Sequence, residues 1–259
     1  TKLGIGVSAG GPVAILNGSR GDRPHCIYRG FCIQGCKVGA KASTLITHVP
    51  DAIENGAEIR PNCMVSRIHV NDRRVMGISY FDHEGRERFQ KAKAVVVAGY
   101  SIETPRLLLN STCPGFEDGL ANSSDCVGRY LMAQAGNVVR GRFEELVRMY
   151  KAPPSQAVLD VFYETDPKRG FARGFAIQTV GPLPMSFARQ MMTAKGAWGW
   201  GMRSVMMDYN HWAAFGFLGE ILPHAENRVQ LAEEKDRFGI PIAKATFTLY
   251  DNDQKLIEY

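Results

Sequence analysis

Residues 94–98, Ala-Val-Val-Val-Ala, form a continuously apolar run that leads directly into Gly99. A short run rich in β-branched residues favours a strand that is covered on both faces, as in the sheet of an α/β protein. The apolar residues that continue to Leu109 then predict a helix. The sequence therefore predicts a strand, a turn and a helix of an α/β core.

Two further patterns precede this unit. Leu45, Val49 and Ile53 recur every four positions, which predicts a helix capped by Ser43 or Thr44 and stopped by a glycine at position 56. Alternating stretches separated by polar turns predict an antiparallel meander, with strands at residues 57–59, 64–70, 75–81 and 86–90.

The second half of the chain has a different pattern. Beyond about residue 136 it consists of short alternating stretches, such as residues 174–180 and 243–249. Residues 227–231 and 236–241 predict a strand, a turn and another strand. We therefore place a domain boundary near residue 136.

Composition excludes several classes of function. Lys and Arg number 31 against 26 Asp and Glu, and this net charge of +5 over 259 residues is not gathered into a basic stripe. Nucleic acid is therefore not an expected partner. No apolar run reaches the roughly 18 residues that a membrane span needs, so none is expected.

Three of the six cysteines, Cys26, Cys32 and Cys36, fall within eleven residues with the spacing C-x5-C-x3-C. Glycines around them let the backbone fold tightly about an inorganic centre and point amides at its sulfurs. Three thiolates match a 3Fe–4S cluster. Two alternatives stay open, namely zinc with His25 as the fourth ligand, and structural or disulfide-paired cysteines. The other three are predicted to be buried apolar residues: Cys63, Cys113 and Cys126.

Three segments of the chain carry a family resemblance, namely residues 26–43, 95–111 and 127–132. They resemble the glucose-methanol-choline (GMC) family of FAD-dependent oxidoreductases, in particular the flavoprotein subunits of gluconate, sorbitol and glucose dehydrogenases. The second segment is similar to the family signature A-G-A-x-E-T-P-x-L-L, with Tyr100 and Ser101 where one small residue is usual.

The resemblance implies the fold and its division. Residues 1–135 would form an incomplete, Rossmann-like FAD-binding domain of the α/β class, with the antiparallel meander and with the cysteine loop at residues 25–43. Residues 136–259 would form part of a substrate-binding domain built on an antiparallel sheet, so the class is α+β overall.

The resemblance also implies a flavin contact at the signature segment. A buried strand that ends in Ala98 and Gly99 brings bare backbone close to a ligand, and a helix start at Thr104 and Pro105 presents its N-terminus nearby. The alternative is ordinary α/β packing, because such turns are common in doubly wound sheets.

Further cofactor contacts are carried over from the family. Val65 matches the position whose backbone amide and carbonyl hold the adenine ring, and the alternative for it is an ordinary strand residue. Gly128 and Arg129 match the loop that closes over the isoalloxazine. The cysteine spacing is similar to that of glucose dehydrogenase flavoproteins, in which three cysteines hold a 3Fe–4S cluster.

The reaction that the family implies oxidises a sugar, a sugar acid or a polyol. A substrate C–OH group loses its proton to a base and a hydride to flavin N5, and electrons leave singly through the cluster. A cytochrome c, a quinone or a small accessory subunit is the expected partner. The expected location is the periplasmic side of a bacterial inner membrane.

Two alternative functions are kept. One is a flavin oxidase of the same fold without a cluster, and the other is a cofactor-free subunit that needs a partner chain. The resemblance spans only the middle of the usual family length, without the glycine-rich pyrophosphate loop or the C-terminal catalytic histidine. We therefore expect this chain alone to be inactive.

Candidate substrate contacts lie in the second half. His211 is a candidate general base and Glu220 an orienting carboxylate, and the alternative for His211 is a satisfied core histidine. Trp198 and Trp200 are candidates for a sugar-stacking platform, although packing in the core or a loop is the favoured interpretation.

Overall fold

The computed structural model describes residues 9–11, 13–151, 153, 155–181 and 183–259. Its strands are β1 (Ala9–Gly10), β2 (Met64–Asn71), β3 (Arg74–Phe81), β4 (Glu87–Lys91), β5 (Gln134–Arg142), β6 (Ala157–Leu159), β7 (Phe175–Val180), β8 (Trp212–Glu220), β9 (Arg228–Lys235) and β10 (Pro241–Thr246). Its helices are α1 (His48–Glu54), α2 (Tyr100–Asn110), α3 (Pro184–Lys195), α4 (Gly199–Met207) and α5 (Asp251–Glu258).

The described strands form three sheets in which every pair is antiparallel. The largest has the order β1-β6-β7-β8-β5, the meander is β2-β3-β4, and β9 and β10 form a hairpin. The predicted mixture of helices with antiparallel sheets is confirmed. No helix in the described part of the chain is long and apolar enough to cross a membrane.

The chain divides into two compact units, each built from separate stretches of sequence. The five-stranded unit comprises Thr1–Ala57, Gln134–Ile221 and Asp251–Tyr259, and the meander unit comprises Glu58–Ala133 and Leu222–Tyr250. Strand β5 begins at Gln134, next to the predicted boundary. The functional assignment of residues 1–135 to cofactor binding and 136–259 to substrate binding stays a prediction.

In the five-stranded unit, α5 packs on the sheet next to β5 and β8. Leu256 is fully buried in a cluster with Ala135, Phe175 and Ile221. A side chain at Gly219 would come within 2.3 Å of Leu256 Cδ2, so the bare backbone of β8 leaves the space that Leu256 fills. The helix therefore lies close to the sheet because β8 has a glycine there.

In the meander unit, the turn between β2 and β3 follows from its sequence. Asp72 and Arg73 both have positive φ angles, of 47° and 62°. Two successive left-handed residues make the tight hairpin turn whose twist matches that of the flanking strands. The predicted polar turn and the three longer strands of the meander are thus confirmed.

Arg106 connects α2 to the β9–β10 hairpin within the meander unit. Its side chain is almost completely buried and donates hydrogen bonds to Asp236 Oδ2 at 2.7 Å, the Pro241 carbonyl at 2.8 Å and Glu103 Oε2 at 3.1 Å. A buried guanidinium needs several acceptors in this planar arrangement to offset its lost hydration. Arg106 therefore fixes α2 against the hairpin.

Several expectations about elements are wrong. Residues 94–98 are not a strand, and Val96 is 91% exposed. No other described strand lies beside this run, and a strand of this kind is stable only when neighbours cover its edges and faces. Residues 57–59 also form no strand, because they lie between two turns and do not pair with the meander.

The first helix begins later than predicted. Residues 44–46 form a short 3-10 turn and α1 starts at His48. Neither Ser43 nor Thr44 acts as a side-chain cap of α1, because the residue before the helix is Thr47, whose hydroxyl instead donates to the Ser43 carbonyl at 2.7 Å. Gly56 stops the helix in a left-handed conformation, as predicted, with φ of 87°.

Replacing Arg106 by Met should destabilise the protein by about 3 kcal/mol, because it leaves the Asp236 carboxylate without its buried partner. The control Lys255→Met breaks the exposed pair with Asp251 and should cost about 0–1 kcal/mol. Urea unfolding followed by circular dichroism measures both. Equal losses would contradict a special role for Arg106.

The stabilisation by Arg106 should also depend on pH. Burial acts to raise the pKa of Asp236, but the hydrogen bond from Arg106 and those from the Ile240 and Phe238 amides outweigh it, so this pKa lies below its ordinary value of 3.8. The stabilisation is complete above that value and is lost as pH falls through the lowered pKa. Arg106→Met should therefore flatten the acid limb of the stability curve.

Candidate functional site

An open cavity of about 770 Å³ lies in the meander unit between the start of α2 and the loop at residues 128–132. We name it the α2 pocket. The segment before and within α2 forms one wall, and the loop forms the other. The lining residues are Val97, Ala98, Tyr100, Ser101, Thr104, Pro105, Gly128, Arg129, Tyr130, Leu131 and Met132.

The α2 pocket brings together two separate predictions. Ala98 and Thr104, from the signature segment, line the same cavity as Gly128 and Arg129, from the loop predicted to close over a flavin. These residues are up to 31 positions apart in sequence. Val65 is not among the lining residues and lies in β2 opposite Tyr80. The cofactor-binding role of all these residues stays a prediction.

The start of α2 differs from the expectation. The helix begins at Tyr100, so Thr104 and Pro105 lie inside it and do not form its first residues. Tyr100 has a φ of 60°, and a side chain on Gly99 would lie 3.2 Å from the Thr104 amide nitrogen. The inserted Tyr100-Ser101 pair therefore forms the first turn, which faces the α2 pocket.

Backbone hydrogen bonds from the start of β9 hold the opposite wall. The Val229 amide donates to the Gly128 carbonyl at 2.7 Å, and the Leu131 amide donates to the Asn227 carbonyl at 2.7 Å. Gly128 has a φ of 81°, and a side chain there would lie 2.1 Å from the Val229 carbonyl oxygen. Only glycine fits this close approach of two backbones.

Arg129 contributes positive charge to the pocket rim, but this charge is paired. Its guanidinium forms a salt bridge with Asp125 four residues earlier, and its amide donates to the Cys126 carbonyl at 3.1 Å. Its side chain is partly buried. The residue is therefore held in place on the pocket wall, with its charge partly offset by the carboxylate.

The three clustered cysteines line a second cavity, of about 220 Å³, in the five-stranded unit. The Tyr28 amide donates to Cys26 Sγ and the Lys41 amide donates to Cys36 Sγ, both at 3.4 Å. The loop therefore points backbone donors at its sulfurs, as predicted from its glycines.

The thiols of this loop differ in acidity. Burial raises the pKa of Cys32, and the nearby charges of Cys26 and Cys36 raise it further. The pKa of Cys36 is lowered, chiefly by the hydrogen bond from the Lys41 amide. Cys26 and Cys36 both act on the pKa of Cys32, as expected for three sulfurs that line one cavity.

The structure bears on two of the alternatives for the cysteine loop, the disulfide and the metal site. All six are free thiols, so the structure has no disulfide in this loop. In the described ranges, no group of three or more His, Cys, Asp or Glu side chains is placed so that it could hold a metal ion. The expectation that the remaining cysteines are buried is wrong, because Cys63 and Cys113 are only partly buried and Cys126 is exposed.

His211 and Glu220 lie just before and at the end of β8 in the five-stranded unit, separated by the length of the strand. His211 Nδ1 is 3.1 Å from the Glu145 carbonyl oxygen, and Glu220 Oε1 is 3.7 Å from Arg173 Nε. Glu220 therefore does not orient His211. Their catalytic roles stay predictions.

Sequence reasoning missed much of the α2 pocket lining, including Tyr100, Ser101, Leu131 and Met132. All four lie within segments that carry the family resemblance, close in sequence to the predicted site residues, and this closeness was the signal that could have found them.

The interpretation that the two tryptophans pack in the core or a loop is also wrong, since Trp198 is 82% exposed and Trp200 is 80% exposed.

Comparison with known proteins gives consistent similarities. Residues 8–134 match the family model of the GMC oxidoreductases. The chain is 35% identical to a 2-methyl-1,2-propanediol dehydrogenase of Mycolicibacterium austroafricanum, over 95% of this chain and 46% of that protein. It is 27% identical to the fructose dehydrogenase large subunit of Gluconobacter japonicus, over 95% of this chain and 45% of that subunit.

A solved structure shows the fold. A formate oxidase of Aspergillus oryzae, studied for its FAD modification, superposes with a TM-score of 0.55 at 18% identity. The match covers 89% of this chain and 45% of that one. The chain thus spans less than half the length of each of these relatives.

The close approach at Gly128 yields a matched pair of variants. Gly128→Ala meets both an unfavourable φ and the Val229 carbonyl, whereas Gly115→Ala has a similar φ of 83° and nothing within 4 Å. Gly115→Ala should cost about 1 kcal/mol from the backbone alone. Gly128→Ala should lower the free energy of unfolding by clearly more, as measured by thermal unfolding. Equal losses for the two variants would show that the loop does not need the close contact between Gly128 and Val229.

Proposed function

Because this chain belongs to the GMC oxidoreductase family, we propose that it is part of an FAD-dependent dehydrogenase that oxidises a CH–OH group of a sugar, sugar acid or polyol. The observation that carries the proposal is the α2 pocket, which joins the signature segment and the loop at residues 128–132 in one cavity. The relative with 35% identity is named for a small diol, which supports a polyol substrate.

The residues of the α2 pocket fit a flavin. Its volume of about 770 Å³ lies within the range of ligand pockets, roughly 300–1,000 Å³. Gly128 presents backbone without a side chain, and the first turn of α2 places helix amides at the cavity wall. Bound FAD supplies the acceptor for the hydride from the substrate carbon.

The chain contributes positioning and shielding to this chemistry. The Thr104 hydroxyl and the backbone at Ala98 form one side of the cofactor site, and Leu131 and Met132 provide apolar cover on the other. Such cover excludes water, which strengthens the polar interactions inside a site. Arg129, held by Asp125, places a positive charge at the rim.

The proton from the substrate hydroxyl needs a base, and among the residues of this chain we propose His211 for this role, in addition to the catalytic histidine that the family resemblance places outside the matched part. A proton on Nδ1 satisfies the Glu145 carbonyl at 3.1 Å, so Nε2 is the nitrogen that would accept. Glu220, paired with Arg173, is proposed to contact substrate and not to orient His211.

We further propose that Cys26, Cys32 and Cys36 hold a 3Fe–4S cluster. Support comes from the three sulfurs lining one cavity and from the amides of Tyr28 and Lys41 that donate to two of them. Such a cluster supplies one-electron transfer. A cytochrome c or an accessory subunit on the periplasmic side of the inner membrane is the proposed partner.

The second candidate is a flavin oxidase without a cluster. It is favoured by the absence, among the described residues, of a side-chain group placed to hold a metal ion. Iron content and flavin content separate the two candidates. A full-length protein that binds neither would support the third possibility, a subunit that needs a partner chain.

Flavin binding tests the proposed cofactor site. In the full-length protein, Thr104→Val should weaken FAD affinity about two- to tenfold, the effect of losing one hydrogen bond. Thr193→Val, in a helix outside the α2 pocket, should leave affinity unchanged. Titration of apoprotein by flavin fluorescence measures both, and equal affinities would remove Thr104 from the site.

Iron analysis tests the cluster. Anaerobically purified full-length protein should contain about three irons per chain, and Cys32→Ser should lose them with their EPR signal. Cys113→Ser, which changes a free thiol in the meander unit, should retain the iron. Protein with bound FAD and no iron would reject the cluster and leave the oxidase.

A further inference from the structure

The helical hairpin α3–α4 of the five-stranded unit is firmly anchored on its inner side. Phe187 and Met191 of α3 are buried with Tyr209, which follows α4. Side chains of α4, namely Met202, Val205 and Met206, pack against the same cluster. The inner faces of both helices are therefore fixed by one apolar core.

The outer face of α3 carries an exposed stripe. Met185, Arg189 and Met192 are all exposed, and Met185 is 82% exposed. Successive helical residues are about 100° apart, so these three fall within about 60° of one another and opposite the buried Phe187 and Met191. The stripe is thus apolar and basic and faces away from the core.

The helix α4 and the connection before it have the same organisation. Trp200, Arg203 and Met207 are exposed on one face, and Trp198 is exposed in the connection. Arg203 lies over the Trp200 ring at 5.2 Å from its centroid. The hairpin therefore presents two tryptophans near its turn, with methionines and basic residues along both helices.

The charge of this hairpin is one-sided. Residues 184–207 contain Arg189, Lys195 and Arg203 but no Asp or Glu, although acidic residues make up 26 of the 259 in the chain. The carboxylate that follows, Asp208, is occupied by Arg142, whose Nη2 lies 3.0 Å from Oδ1. The exposed face therefore carries a local positive charge that no neighbouring carboxylate in the sequence offsets.

We propose that the outer face of the α3–α4 hairpin attaches the protein peripherally to the surface of an anionic lipid bilayer. Exposed apolar side chains flanked by Lys and Arg on an amphipathic helix are the pattern of helices that lie in a membrane interface. Tryptophan favours the headgroup region, because its ring is apolar and its N–H is polar. Basic residues are attracted by the negative surface potential.

The dimensions agree with lying on a bilayer and exclude crossing it. The 12 residues of α3 and the 9 of α4 extend about 18 and 14 Å, less than the roughly 30 Å of the hydrocarbon core. A protein partner for such a face would be expected to be acidic. The positive charge and the two tryptophans together favour a lipid surface as the partner of this face. Binding of a protein to the face is an alternative outcome of the test.

The test is cosedimentation of the full-length protein with vesicles of phosphatidylcholine alone or of equimolar phosphatidylcholine and phosphatidylglycerol. We expect binding to the anionic vesicles that weakens with added salt, and little binding to the neutral ones. Replacing Arg189 and Arg203 by Gln should weaken binding about fivefold for each charge. The double variant Trp198→Gln/Trp200→Gln should abolish it.

Controls separate docking from folding. Tyr163→Gln changes another exposed aromatic of the same unit, 66% exposed, and should bind vesicles like the unmodified protein. Thermal unfolding of all variants should be unchanged, since the replaced side chains lie outside the core. The result that overturns the proposal is no anionic binding, or equal binding by the tryptophan variant. Self-association that this variant abolishes, without lipid binding, would assign the face to a second copy.

Discussion

The guanidinium of Arg106 is buried against four acceptors, and this contact connects the elements of the meander unit that form the α2 pocket. It holds α2 to the β9–β10 hairpin, and the start of β9 in turn holds Gly128 through the Val229 amide. Both walls of the α2 pocket are therefore attached to the same hairpin. A buried charge that needs partners therefore helps to hold both walls in place.

Both candidate sites depend on glycines that allow two backbones to meet. A side chain at Gly128 would lie 2.1 Å from the Val229 carbonyl, and one at Gly30 would lie 1.9 Å from the Tyr150 carbonyl. The first contact shapes the α2 pocket and the second fixes the cysteine loop. In each case a residue without a side chain lets two backbone segments approach closely next to the side chains that line the cavity.

The α3–α4 hairpin shows how one helix pair serves two environments. Phe187 and Met191 stabilise the fold from inside, while Met185 and Trp200 remain outside with basic neighbours. Both helices have apolar residues on both faces, so apolar character alone does not tell which face packs in the core and which is a contact surface. In this hairpin the two arginines, Arg189 and Arg203, lie on the exposed side, whereas the Lys195 ammonium contacts the Trp212 ring.

The sequence alone predicts the meander and its turn at residues 71–74, because local periodicity and turn chemistry act over a few residues. The segments that form the α2 pocket were identified by the family resemblance. The sequence also identified the three cysteines that share a cavity. The exposure of Val96, Trp198 and Trp200 was decided by the tertiary structure, since an apolar residue is buried only where another element covers it. The pairing of Arg106 with Asp236, 130 residues apart, likewise depends on how distant elements pack.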